Sequence, residues 1–277
     1  MITFLAALTL LAAASADESA DWVFLDNGQL RLGVKKTSGA AIAWLSQSGS
    51  SRNLVNHFDR GRLIQQSYYG DADGSLWNKK PWCWNPVQGG DWRGTGARLL
   101  DFRADKTQLY ARTEPRHWAS GTAIADATME EWINLTGHVA HVRYKFAYHG
   151  ATSHKTRPQE VPAVFVPADL ETLVISDGAG GVNRSQPGWP NEYRKLSEPW
   201  AAYVDKNDFG LGVCVPVARE LTCYRVVHNN AGDCSYFAPL VRFAIGPGFV
   251  YEYDVYLTIG TSANIQRVFR QLLESKP

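Results

Sequence analysis

The sequence of 277 residues carries 28 Lys and Arg against 27 Asp and Glu, a formal net charge of +1 with the two signs interspersed. This balance gives no electrostatic reason to expect a nucleic acid or an anionic membrane surface as a partner. With 10 Trp, 12 Tyr, 11 Phe and 24 Gly but only 2 Met, the composition favours a β-protein with many turns.

The chain opens with an apolar segment that predicts export. Residues 2–14 are nearly all apolar, and Ala14-Ser15-Ala16 has the small-x-small pattern of a cleavage site. We therefore predict a signal peptide over residues 1–16 and a mature chain of residues 17–277 that is secreted or periplasmic. A buried N-terminal helix is the alternative. No later segment approaches the ~18 uncharged apolar residues of a membrane-spanning helix, so no span is expected.

Period-two alternation of apolar and polar residues dominates the rest of the chain. "LRLGV" (30–34) and "AIAWL" (41–45) flank a turn and predict a hairpin, while residues 138–150 and 248–260 predict long strands with one apolar face. The closing "TSANIQRVFRQLLES" combines a Ser/Thr cap with apolar residues at helical spacing. The pattern predicts an all-β fold, a single large antiparallel sandwich domain with a short C-terminal helix.

The four Cys favour a disulfide over a metal site. Cys223 and Cys234 flank the hairpin-like "YRVVHNNAGD", so a bridge between them is preferred in an exported chain, although four Cys allow three connectivities. No Cys-x-x-Cys pair is present, and "GDADGS" (70–75) lacks the distal Glu of a calcium loop and is interpreted as a turn. We expect no metal and no cofactor.

Polar and aromatic residues cluster where a sandwich core would need neither. The stretch "NHFDRGRLIQQSYYG" (56–70) is polar on both faces, and "WNKKPWCWNPVQGGDWRGTG" (77–96) carries four Trp in a Gly-rich loop. A pyranose offers an apolar face to an aromatic ring and a rim of hydroxyls to planar polar groups. The predicted substrate-binding residues are His57, Arg60, Arg62, Gln66, Tyr68, Trp84, Asp91, Arg157, Trp189 and Tyr193. The alternatives are an Asp59–Arg60–Arg62 ion-pair network and a loop held over the core by its own aromatic residues.

Acid–base candidates come from the same clusters and from one strand pattern. In "TMEEWINL" (128–135), Glu131 alternates with Met129 and Ile133, which predicts an inward carboxyl with a raised pKa or one paired with an Arg. His117 has cationic neighbours that favour its neutral form. The predicted catalytic residues are Asp59, Glu131, Glu160, Glu192 and His117.

Three segments of the chain resemble the galactose-mutarotase-like proteins. These are "NGQLRLGVKKTSGAAIAWLS", then "SRNLVNHFDRG" with "QQSYYG", and the closing "FVYEYDVYLTIGTSANIQRVF". The resemblance implies a β super-sandwich that holds carbohydrate on its concave sheet, as in aldose epimerases and in domains of polysaccharide lyases and glycoside hydrolases. Mutarotases use two His and a Glu base, and His57 and His117 lie outside the family's local motifs.

These observations predict a secreted carbohydrate-active enzyme that cleaves glycosidic bonds of a polysaccharide or oligosaccharide. Hydrolysis is slightly preferred because several carboxyl groups lie in or beside the polar clusters. The first alternative is a lyase that acts on a uronate-containing glycan by β-elimination, with Arg residues to hold the substrate carboxylate. An aldose 1-epimerase-like enzyme and a non-catalytic carbohydrate-binding module are the others. The sequence does not determine the oligomeric state.

Overall fold

A computed structural model describes residues 20–275, so the predicted signal peptide lies outside the described residues. The first strands are β1 (Trp22–Asp26), β2 (Leu30–Lys35), β3 (Ile42–Gln47), β4 (Ile64–Ser67), β5 (Ala72–Trp77), β6 (Lys80–Cys83), β7 (Pro86–Val87), β8 (Arg98–Ala104), β9 (Gln108–Glu114), β10 (Arg116–His117) and β11 (Ala127–Thr136). They are followed by β12 (Val139–Tyr148), β13 (His154–Pro167), β14 (Thr172–Ser176), β15 (Val182–Ser185), β16 (Glu192–Lys195), β17 (Trp200–Val204), β18 (Phe209–Cys214), β19 (Glu220–Val226), β20 (Cys234–Ile245), β21 (Val250–Thr261) and the helix α1 (Ser262–Glu274).

The strands form two large antiparallel sheets packed face to face. The first sheet has the order β1-β2-β3-β4-β13-β20-β19-β16, with β7 and β10 attached beside β4. The second sheet has the order β15-β14-β17-β18-β21-β12-β11-β9-β8, and β5 and β6 form a separate hairpin. Apolar residues from the inner faces of both sheets fill the space between them. The predicted antiparallel super-sandwich is confirmed.

The alternation seen in the sequence becomes the two faces of the second sheet. On β12, Val142, Tyr144 and Phe146 are fully buried between the sheets. The intervening His141 and Arg143 face outward and contact acidic residues on β21: His141 Nε2 lies 2.7 Å from Asp254 Oδ1, and Arg143 pairs with Glu252. Cross-strand polar contacts of this kind stabilise a solvated sheet face modestly.

The predicted C-terminal helix is present as α1, and it covers part of the outer face of the second sheet. Thr261 caps it by accepting a hydrogen bond from the backbone N–H of Asn264 at 3.3 Å. Ile265 and Phe269 are buried in a second apolar cluster with Trp200. Within residues 20–275, no helix is both long and apolar enough to cross a membrane.

Two local predictions are wrong. Cys223 and Cys234 form no disulfide, because β19 pairs Cys223 with Phe237 and Val226 with Cys234. This offset of three residues is roughly 10 Å at ~3.3 Å per residue, beyond the reach of a disulfide. The segment "GDADGS" is not only a turn, because its last four residues belong to β5.

Glu131 occupies an unusual position for a carboxyl group. It lies on β11 with Met129 and Ile133, is fully buried between the sheets, and pairs across the strands with Tyr144. Neither carboxyl oxygen makes a well-formed hydrogen bond with the described residues, and only the side chain of Gln88 acts against the rise of its pKa. Burial raises the pKa of Glu131 to about 8, so the group is held mainly as a neutral acid at pH 7. The alternative of a buried ion pair with an Arg is thereby excluded.

This burial predicts a pH-dependent stability. Below pH 4.5 the Glu131 carboxyl group is protonated in both the folded and the unfolded chain. Between pH 4.5 and about 8 it stays protonated only in the folded protein. The free energy of unfolding therefore falls as the pH rises through this window. One pKa unit corresponds to ~1.4 kcal/mol, which places the loss on the order of a few kcal/mol. Denaturant titrations from pH 4 to 9 should show that the free energy of unfolding falls less with pH in Glu131→Gln than in the wild-type protein. Glu130→Gln, on the solvent face of the same strand, should keep the wild-type slope, and equal slopes in all three proteins would contradict the prediction.

Candidate functional site

A cleft of about 650 Å³ opens on the outer face of the first sheet, on the side away from the core. Its floor is formed by outward-facing residues of β4, β13, β19 and β20, and its walls by the β5–β6 hairpin and neighbouring loops. Aromatic side chains dominate the lining: Phe58, Tyr69, Trp77, Trp82, Trp92, Trp118, Phe165, Trp189, Tyr224 and Tyr236. Polar groups among them include two carboxyl groups, Asp59 and Glu160, together with Arg62, Asn85, Asn191 and His228. An aromatic cleft with few converging polar groups is typical of a small-ligand site.

Glu160 lies at the floor of the cleft between two tyrosines. The hydroxyl of Tyr69 donates to Glu160 Oε1 at 2.8 Å, and the hydroxyl of Tyr236 donates to the same oxygen. Burial raises the pKa of Glu160, while the hydrogen bonds partly offset this by stabilising the ionised form. The pKa values of both tyrosines are raised well above 10, again mainly by burial, so their hydroxyls remain donors.

A β-bulge in β13 turns Glu160 toward the cleft. Between Glu160 and Ala163, β13 advances three residues while β4 advances two, and β20 shows a matching shift. Glu160, Ala163 and Phe165 therefore all line the cleft, although regular alternation would place Glu160 and Ala163 on opposite faces. Bulges commonly re-aim side chains in this way beside functional sites.

Gln159, the residue before Glu160, fixes the position of Tyr69. Its side-chain amide accepts from the backbone N–H of Tyr69 at 2.7 Å and donates to the backbone carbonyl of Tyr69 at 2.9 Å. Gln159 is fully buried, so both bonds are shielded from water. The paired bonds hold Tyr69 at the end of β4 with its hydroxyl over Glu160.

The second carboxyl group of the cleft, Asp59, is held by Arg62. Asp59 Oδ2 lies 3.2 Å from Arg62 Nε, and Asp59 Oδ1 accepts from the backbone N–H groups of Gly61 and Arg62. Burial raises the pKa of Asp59, and these contacts act against that rise. Among residues 20–275, no group of three or more His, Cys, Asp or Glu side chains is arranged to hold a metal ion.

Four of the predicted site residues lie together in this cleft: Asp59, Arg62, Glu160 and Trp189. Trp189, at 63% exposure, forms one end of the lining with its ring edge-on to Tyr224 at 5.0 Å between centroids. Of the alternative Asp59–Arg60–Arg62 ion-pair network, the pair of Asp59 with Arg62 is present. Arg60 does not contact Asp59 in this way and is not part of a network.

Three predicted residues point into the core instead of the cleft, which corrects their assignment. Gln66 and Tyr68 alternate with Ser67 and Tyr69 on the strand, and the cleft side belongs to the latter pair. Gln66 donates to the backbone carbonyl of Glu130 at 3.0 Å and accepts from the hydroxyl of Tyr68. Glu131 is likewise enclosed between the sheets and cannot touch a ligand in the cleft.

Three further residues stabilise loops. Arg60 donates to the Gly94 carbonyl at 2.6 Å and to Ser38 Oγ at 2.7 Å, so its guanidinium links two loops away from the cleft. Asp91 is buried and accepts backbone bonds from Arg93 and Thr95 within its own turn. The ring of His57 lies edge-on to Trp22 and its Nδ1 is 3.1 Å from Asn53 Nδ2.

His117, Trp84 and Arg157 lie behind the cleft wall. His117 is buried and its Nε2 is 2.7 Å from Asp73 Oδ2 on β5. Trp84 stacks on His154 with ring centroids 4.4 Å apart, and Arg157 lies 3.5 Å from Asp71. Their contacts position the hairpin and its base, and none of the three lines the cleft.

Glu192 and Tyr193 lie on the edge strand β16, outside the cleft lining. Glu192 pairs with Arg194 and accepts from the backbone N–H of Gly188, and these contacts lower its pKa. A general acid needs the opposite shift, so its geometry does not suit the role predicted for it.

Tyr69, Tyr236 and Trp118 line the cleft but were not among the site residues predicted from the sequence. Tyr69 was detectable, because period-two alternation places it with Gln65 and Ser67. Tyr236 stands in no polar cluster and reaches Glu160 only because β20 pairs with β13. Trp118 fits the cleft because its ring occupies the space beside Gly61, where a Cβ atom would lie 1.8 Å from Trp118 Cζ3.

No protein-family model matches the sequence, and no curated protein matches it. Solved structures do match in fold. An Escherichia coli K12 protein proposed to be an aldose 1-epimerase superposes with a TM-score of 0.56 at 13% identity, over 87% of this chain and 99% of that one. A galactose mutarotase related enzyme from Lactobacillus acidophilus gives 0.55 at 8% identity, over 87% and 98%. A galactose mutarotase-like protein from Lactobacillus casei ATCC 334 gives 0.53 at 11% identity, over 86% and 100%.

The fold is therefore galactose-mutarotase-like, as the resemblance implied. At these identities the likeness concerns the fold alone. Proteins of one fold carry out different reactions, so the chemistry depends on the residues of the cleft.

The tyrosine contacts predict how Glu160 titrates. Removing one donor with Tyr69→Phe should raise the pKa of Glu160 further, since a hydrogen bond to a charged group contributes ~1.5–3 kcal/mol. Side-chain carboxyl ¹³C chemical shifts of Glu-labelled protein, followed against pH, measure this directly. Tyr193→Phe, at an exposed tyrosine on β16, is the control and should leave the titration unchanged. A lower pKa in Tyr69→Phe would contradict the geometry.

Proposed function

We propose that this protein is a carbohydrate-active enzyme that binds a sugar in the aromatic cleft and transfers protons at its anomeric centre, as an aldose 1-epimerase does. The observation that carries the proposal is Glu160: a carboxyl group with a raised pKa, held by two tyrosine hydroxyls at the floor of an aromatic cleft. A carboxyl group whose pKa is raised toward neutrality suits general acid–base catalysis.

Anomeric interconversion needs one proton donor and one acceptor at the sugar. Glu160 donates its proton to the ring oxygen O5, while Asp59 accepts the proton of the C1 hydroxyl. The C1–O5 bond then breaks, giving the open-chain aldehyde with a free C5 hydroxyl. Rotation about C1–C2 and reversal of both proton transfers close the ring as the other anomer and restore both carboxyl groups. Arg62 supports the negative charge of Asp59 before the transfer.

The names of the similar structures and the lining of the cleft support this reaction. The three solved structures above carry the names aldose 1-epimerase, galactose mutarotase related enzyme and galactose mutarotase-like protein. The aromatic lining suits stacking on pyranose faces, and Asn191 and His228 offer hydrogen-bonding groups for the hydroxyl rim.

Glycoside hydrolysis is the second candidate, because two carboxyl groups line the same cleft. In that reaction Glu160 protonates the leaving oxygen, and Asp59 acts as nucleophile or as base toward water. β-Elimination is less well supported: Arg62 lines the cleft, but it is engaged by Asp59 and by the Gly232 carbonyl.

The test uses purified protein and a panel of aldoses and neutral oligosaccharides. Exchange NMR between the α and β anomers measures epimerisation, and new reducing ends measure hydrolysis. We expect accelerated anomer exchange that falls by about 10²-fold or more in Glu160→Gln, within the range of general acid–base contributions. Glu192→Gln, a carboxyl group outside the cleft, should retain wild-type rates.

Each result has a distinct consequence. New reducing ends without accelerated exchange would replace the epimerase proposal with the hydrolase one. Neither signal on any substrate, or full activity in Glu160→Gln, would contradict catalysis by this carboxyl group.

A further inference from the structure

The cleft is longer than one sugar ring requires. Glu160 lies on β13, with Tyr69 at the end of β4 on one side and Tyr224 on β19 on the other. From β4 to β19 there are three strand spacings, roughly 14 Å at ~4.8 Å each. The volume of about 650 Å³ also lies within the ~300–1,000 Å³ of clefts that bury drug-sized ligands, closer to a di- or trisaccharide than to one pyranose.

Aromatic residues are present at both ends of this length. At one end the rings of Trp77 and Trp82 lie 5.3 Å apart on the β5–β6 hairpin. At the other, Trp189 and Tyr224 form an edge-on pair with ring centroids 5.0 Å apart. A single pyranose at Glu160 would leave at least one of these pairs without a sugar face to contact.

The hairpin is fixed in place by groups that do not line the cleft. His117 Nδ1 accepts from the backbone N–H groups of Ala119 and Ser120, at 3.1 and 3.3 Å, so the proton is assigned to Nε2, which donates to Asp73 at 2.7 Å. At the hairpin base, the backbone N–H of Asp71 donates to His154 Nδ1 at 3.2 Å. These bonds connect β5 to two separate parts of the first sheet.

The wall is also shaped locally. The hairpin turns at Asn78 and Lys79, whose positive φ angles of 49° and 63° match the tight turn that joins two antiparallel strands. Trp82 Nε1 donates to Asn85 Oδ1 at 3.2 Å, and Asn85 is itself buried in the cleft lining. The indole of Trp82 is thus oriented by a bond to the cleft floor.

We propose that the substrate is an oligosaccharide or the end of a longer glycan, and that Trp77 and Trp82 form a distal subsite positioned by the Asp73–His117 hydrogen bond. The inference rests on the proposed function for the location of the reacting sugar at Glu160. It assigns His117 as a positioning residue that acts through the hairpin, and not as a catalytic base.

Affinity as a function of chain length tests the subsite. The probes are gluco-, xylo-, manno- and galacto-oligosaccharides of one to four residues, titrated by calorimetry. For the series that binds, we expect the affinity to rise by about tenfold or more from one to three residues, a gain of ~1.4 kcal/mol. Trp77→Ala and Asp73→Asn should remove most of that gain, while Trp77→Phe keeps part of it.

Trp132→Ala is the matched control, because Trp132 is an exposed Trp on the outer face of the second sheet. It should leave the length dependence unchanged, and thermal unfolding of every variant checks that the fold is intact. Equal affinity for one and three residues, an unchanged gain in folded Trp77→Ala, or no binding by any member of the panel would each overturn the inference.

The inference and the proposed function fail in different ways. A length-dependent affinity that Trp77→Ala removes, without any activity that depends on Glu160, would leave the subsite and overturn the catalysis. Activity on single aldoses that depends on Glu160, with no gain in affinity from longer chains, would support the catalytic proposal and overturn the distal subsite.

Discussion

The register of β13 against its two neighbours is the constraint on which the site depends. One extra residue between Glu160 and Ala163 changes the parity of the strand, so residues on both sides of the bulge face the cleft while Val161, Val164 and Val166 still face the core. Without it, either Glu160 or the cleft-facing Ala163 and Phe165 would point inward. The tyrosines that bind Glu160 come from beyond β4 and from β20, and both positions follow from that pairing.

Two buried glutamates show that a raised pKa does not by itself mark a catalytic group. Glu131 and Glu160 are both shifted upward by burial. Glu131 is enclosed between the sheets, whereas Glu160 has tyrosine donors and borders the open cleft. The position of each group, and not its pKa, therefore distinguishes Glu131, whose burial affects stability, from Glu160, which is a candidate for proton transfer.

The wall of the cleft depends on residues that never reach it. Gln159 sets Tyr69 through two backbone bonds, and His117 holds the β5–β6 hairpin through Asp73. Such buried polar groups with hydrogen-bond partners position side chains more firmly than loop packing alone. The same bonds explain why polar residues are dense in segments that contribute few residues to the lining itself.

The sequence alone determined the fold class, because alternation along strands such as β12 and β21 and the capped helical pattern at the C-terminus are local properties. It also determined that Glu131 points inward and that polar and aromatic residues cluster within residues 56–96. It did not determine which of Gln66, Tyr68 and Tyr69 faces the cleft, or that Cys223 and Cys234 are offset. Those facts depend on register, bulges and pairing between strands distant in the chain. The hydrogen bond between Tyr236 and Glu160, which are 76 residues apart in sequence, was decided only by the tertiary structure, because no local pattern encodes which strands become neighbours.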